Sequence, residues 1–115
     1  MTNLNFSDNL AAQDMIKIVM KEKDLSVKAA IEFSINHDMH KEIIEKKYGS
    51  IALNLWGHGD AEREWDVLDE PIIDIEFDEL REDLINDITK KEKVDIETAV
   101  SYFLIFTMDY LGYHI

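Results

Sequence analysis

The sequence predicts a mainly helical single domain, residues 1–115, built as a bundle of five or six helices with room for a minor two-stranded element in the middle. Three observations predict it. Apolar residues recur three and four apart through most of the chain, which is the spacing of one helix face. Ser, Asp and Asn stand just ahead of these stripes, where the first free N–H groups of a helix need an acceptor. One proline and four glycines are all that break 115 residues, and a hydrophobic content of 46% supports an ordinary core.

Ser7 or Asp8 can cap a first helix running to about Lys23, with Leu10, Met15, Ile18 and Val19 inward and Ile16 and Met20 beside them. Ser26 suits the N-cap of a second helix, whose face is Val27, Ala30, Ile31 and Ile35. Asn36 or Asp38 starts a third, with Met39, Ile43, Ile44 and Tyr48 inward and Gly49 at its end. The middle is mixed. Ile51, Leu53 and Leu55 alternate with other residues, as do Ile73, Ile75 and Phe77, so these two stretches can pair as a hairpin with a long excursion or form an irregular connection. A short helix fits around Ala61–Leu68. Asp78 caps a helix with the stripe Leu80, Leu84, Ile85 and Ile88, and lysines at its far end suit the helix dipole. Asp95 caps the last helix, which is apolar over more than one face and is therefore expected at the centre. Its stripe Tyr102, Phe106, Tyr110, Tyr113 reads as core, or core-to-rim, and not as a cofactor box.

Charge is distributed very unevenly. Between Asp60 and Asp87 there are thirteen carboxylates against Arg63 and Arg81, a net of −11 within a chain of net −13. Crowding like charges raises self-repulsion unless a cationic partner or counter-ions offset it. Such a surface repels phosphate backbones and anionic membranes, so direct nucleic-acid or membrane binding is not expected. A solubility face would normally mix Lys with Glu for i,i+4 support, whereas here every lysine lies outside the segment. Tryptophan beside dense charge suits an interface anchor with a steering rim. The contact residues expected on this ground are Trp65 as anchor, with Asp60, Glu62, Glu64, Asp66, Asp69 and Glu70 as rim. Trp56 and Phe77 strengthen the contact reading.

Chemistry finds little support. With no cysteine, thiolate catalysis, Cys-ligated zinc and a disulfide scaffold are excluded, and a reducing, cytoplasmic setting suits the chain. Residues 1–14 lack a basic stretch followed by an apolar one, so nothing there reads as a secretion signal. His37 and His40 lie three apart and His58 precedes Asp60 by two, which allows a metal-dependent enzyme or regulator, but no HExxH or Cys pair completes such a site. No Gly-x-Ser-x-Gly or phosphate loop occurs. No catalytic residue and no cofactor is assigned.

In its acidic stretch from Gly57-His58-Gly59 to Asp87, and in its short, cysteine-free, helical composition, the chain resembles the small acidic bacterial immunity proteins that neutralise toxin domains, including those of contact-dependent inhibition systems. It is also similar in profile to antitoxins and to phage-encoded inhibitors of host defence, some of them DNA mimics. The resemblance implies a non-enzymatic binding protein that occludes a cationic toxin, a nuclease being the natural partner. A further alternative is an adaptor subunit that packs its aromatic last helix on a partner or on a second copy as a homodimer.

Overall fold

Leu4 and Phe6 lie two apart on one face of an extended segment, and both are fully buried. The computed structural model describes residues 1–35 and 66–113. Strand β1 (Thr2–Asn5) pairs antiparallel with β2 (Ile72–Ile75), Thr2 opposite Ile75 and Asn5 opposite Ile72. Period two then sends Ile73 and Ile75 into the core and Ile72 and Asp74 outward. The strand expected over Ile72–Phe77 therefore exists as Ile72–Ile75 and pairs with β1, whereas the partner expected for it, Ile51–Leu55, lies outside the described residues. Asn3 Nδ2 donates to Asp74 Oδ1 at 2.8 Å across the outer face.

Helix α1 (Leu10–Lys23) starts from Asn9, whose side chain accepts the Ala12 N–H, and not from Ser7 or Asp8. Burial of Phe6 explains the shift, because its carbonyl takes the Asn9 N–H in a turn over Ser7 and Asp8 that must finish before the helix begins. Helix α2 (Val27–Ser34) is capped by Ser26, α3 (Glu79–Glu92) by Asp78 and α4 (Ile96–Tyr110) by Asp95, each accepting an N–H three residues on. Asp24 and Lys93 close α1 and α3 in the left-handed conformation. After α4, Gly112 takes φ +92°, a conformation in which a Cβ would be strained.

Helix α4 is the centre. Ten successive residues, Ala99–Met108, are buried, and α1, α2, α3 and β1 pack around it. Its buried Ser101 and Thr107 hydroxyls donate within the helix, to Glu97 O and Phe103 O. The aromatic stripe runs from core to rim: Tyr102 and Phe106 are buried, Tyr110 is exposed, and the Tyr113 hydroxyl donates to Glu22. Lys23 Nζ stands 5.5 Å from the Phe33 ring centroid and 5.9 Å from that of Tyr110.

Four helices form among the described residues, where five or six were expected. The helix expected from Asn36 or Asp38 to Tyr48 lies outside them. Of the short helix expected around Ala61–Leu68, the described residues Asp66–Leu68 are irregular. Their N–H groups are taken by α1 side chains: Asp66 N–H donates to Asp14 Oδ1, and Leu68 N–H to Gln13 Oε1. Leu80, counted in the inward stripe of α3, is exposed, as is Leu10 of α1. No helix among the described residues is long and apolar enough to cross a membrane.

Candidate functional site

The acidic segment enters the described structure at Asp66 and runs beside α1 before turning into β2. Gln13, buried on α1, holds it in place. Its amide donates to Phe6 O at 2.7 Å and accepts from Leu68 N–H at 3.0 Å, so one side chain ties the end of β1 to the acidic segment. Asp14, also buried, takes the Asp66 N–H at 3.1 Å. Leu68 is buried between Val67 and Asp69, which are exposed. The backbone is thus clamped by α1 while Asp69 and Glu70 face water.

Of the seven expected contact residues, Asp66, Asp69 and Glu70 are brought together here. Asp60, Glu62, Glu64 and Trp65 lie outside the described residues, as do Trp56 and the three histidines His37, His40 and His58. Among the described residues no group of three or more His, Asp or Glu side chains is arranged to hold a metal. Phe77 is a core residue, 9% exposed, and cannot serve as a contact anchor.

The fold changes the electrostatic picture in one place. Lys21 Nζ meets Asp66 Oδ2 at 2.6 Å, and this hydrogen bond holds the Asp66 carboxyl below its usual range, with Lys17 adding to the effect. The same bond raises Lys21. Both groups are open to solvent, so the pair adds little to stability. Asp66 is therefore locally neutralised. Lysines remote in sequence return to the acidic segment because α1 packs against it.

Beyond Asp66, the carboxylates Asp69, Glu70, Asp74, Glu76, Asp78, Glu79, Glu82, Asp83 and Asp87 are all exposed. Arg81 is the one basic residue among residues 69–87. It pairs with Asp78 through Nη1 and donates from Nε to Glu32 O at 3.0 Å, which ties α3 to the end of α2. Asp78 is held below its usual range chiefly because it accepts the Arg81 backbone N–H. The outer side of β2 and the solvent side of α3 are thus both anionic.

A groove of about 540 Å³ opens between the acidic segment and the first two helices. Lys17 and Lys28 stand on the helical side, Asp69, Glu70 and Asp74 on the other, over a floor that includes Met20, Val27 and Leu68. Its lysines were missed by sequence reasoning, since Lys17 and Lys28 carry no local signal connecting them with residues forty or more positions later. No family profile, curated protein or solved structure matches this chain.

Proposed function

We propose that this chain is a non-enzymatic acidic binding protein that neutralises a basic toxin domain, a nuclease in the favoured form, by covering it. The observation that supports the reading is the anionic surface of residues 69–87: nine exposed carboxylates, with Arg81 the one cation among them. A nuclease cleft must be cationic to hold phosphates, so it is complementary to such a surface. Long-range attraction would raise the association rate, and a few desolvated contacts would limit dissociation. Trp65 is the proposed anchor, with Asp60, Glu62, Glu64, Asp66, Asp69 and Glu70 as rim. Asp66 contributes less than its neighbours because Lys21 already pairs with it. The rim extends onto Asp74 and the exposed acids of α3.

The test is association kinetics with the product of the adjacent gene, where that gene encodes a basic nuclease toxin, across a salt series. Parent protein should bind at a rate that falls steeply with salt. The triple variant Glu70→Lys, Glu76→Lys, Asp83→Lys should associate on the order of tenfold to a hundredfold more slowly. Binding that ignores both salt and charge reversal would refute the reading.

A further inference from the structure

We propose that the outer edge of β2 accepts an extended, basic segment of the partner as a third strand, seated in the groove beside it. This rests on the reading of the chain as a protein that binds a cationic partner, and it specifies how part of that partner is held.

The parity of the β1–β2 ladder carries the inference. In an antiparallel pair, opposed residues alternate between those that exchange hydrogen bonds and those that do not. Phe6 N–H donates to Pro71 O at 2.9 Å, so the pair Phe6 and Pro71 is of the bonded kind. With Asn5 opposite Ile72 and Leu4 opposite Ile73, Ile73 and Ile75 turn their N–H and C=O toward β1. Ile72 and Asp74 turn theirs away, and no backbone hydrogen bond satisfies them among the described residues. An open edge of this kind is a template for another strand.

The surroundings select the occupant. The groove takes in Ile72, Ile73 and Asp74 of this strand, and Met20, Val27 and Leu68 give it an apolar floor. A strand laid there would rest alternate apolar side chains on that floor. Its other face would lie beside Ile72, 55% exposed, and Asp74. Asp69 and Glu70 close the same side, so a basic residue is favoured there, and Lys17 and Lys28 leave room for an acidic or polar one at the far wall. A second copy of this chain is a poor occupant, because pairing two such edges would bring Asp74 and its acidic neighbours together, and like charges across strands destabilise. A partner strand that alternates apolar residues with basic and polar ones meets both requirements.

The experiment uses the full chain labelled with ¹⁵N and a blocked nonapeptide alternating valine with lysine and threonine. At saturation, amide exchange at Ile72 and Asp74 should slow at least tenfold, while Ile73 and Ile75, already bonded to β1, change less than twofold. Ile72→Pro removes an outward N–H without touching the β1 ladder, and should abolish peptide binding with the fold intact. Peptide binding without protection at Ile72 and Asp74, no binding at millimolar peptide, or full binding by the Ile72→Pro protein would each overturn the inference. Should Ile72→Pro fail to fold, the exchange pattern of the parent still decides. Salt-dependent toxin binding that survives in Ile72→Pro would sink the edge inference and leave the neutralisation reading standing. Toxin binding indifferent to charge reversal would sink both.

Discussion

Replacing Gln13 with methionine tests how the acidic segment is held to the helical body. Gln13 is 3% exposed, and methionine matches its length while offering no donor and only a weak sulfur acceptor. Leu68 N–H, which donates to Gln13 Oε1, would be left buried beside an apolar chain, at a cost of about 1–3 kcal/mol. Phe6 O is less affected, because it also accepts from Asn9 N–H at 2.9 Å, so the lost bond there is worth about 0.5–1.5 kcal/mol. The buried thioether returns roughly 1 kcal/mol through apolar transfer. The net loss is then about 1–3 kcal/mol. With an unfolding entropy of about 2.1 cal/mol/K per residue, that lowers Tm by roughly 4–12 °C. Urea unfolding and thermal melts at pH 7 measure the change, and amide exchange at Leu68 locates it. A loss below about 0.5 kcal/mol with Leu68 still protected would show that the clamp is not where the stability of this segment resides.

Two further outcomes follow from the charged caps and the surface pair. Asp95 accepts from the Thr98 side chain and backbone, and both bonds hold its carboxyl below the usual range, as the Arg81 N–H does for Asp78. A depressed folded value means this stabilisation is present above the ordinary value of about 3.9 and is lost as pH falls through the lowered one. The urea midpoint should therefore fall on acidification from pH 5 to pH 2, and Asp95→Asn, which keeps the cap, should show a shallower fall; an unchanged slope in that variant would contradict the assignment. For Asp66, NMR titration should find the carboxyl below the usual range in the parent and closer to it in Lys21→Met, with little change in stability; equal titration in the two proteins would mean the pair does not persist in solution.

Local signals were legible and long-range ones were not. Ser26, Asp78 and Asp95 could be read as caps because each has an acceptor side chain one position ahead of a helical stripe. The central place of α4 was legible because its apolar residues exceed one face. Strand β1 left a signal that was passed over, the alternation of Leu4 and Phe6 with Asn3 and Asn5. Its partner could not be read, since nothing local joins Asn3 to Asp74, 71 residues later. Gln13 and Asp14 stand outside the apolar stripe of α1, and nothing near them in sequence announces the hydrogen bonds to residues 66 and 68 that make their burial favourable. Leu80 shows the converse error: it sits at an inward spacing near the start of α3 but stands in water. The anionic character of the site was evident from composition. Its neutralisation at Asp66, and the lysine wall of the groove, depended on how α1 packs.

The position of α4 at the centre has a consequence for biogenesis. The helix that every other described helix rests upon is the last of them to leave the ribosome, and β1, the first segment synthesised among them, waits for residues 72–75 before it can pair. At elongation rates of about 5–20 residues per second, the nascent chain spends several seconds with its apolar stripes uncovered. Closing such distant contacts is entropically slow, and the described elements cannot assemble until residues 96–110 have emerged. A message truncated before residue 96 would yield a chain with no centre to assemble on, and quality control should remove it.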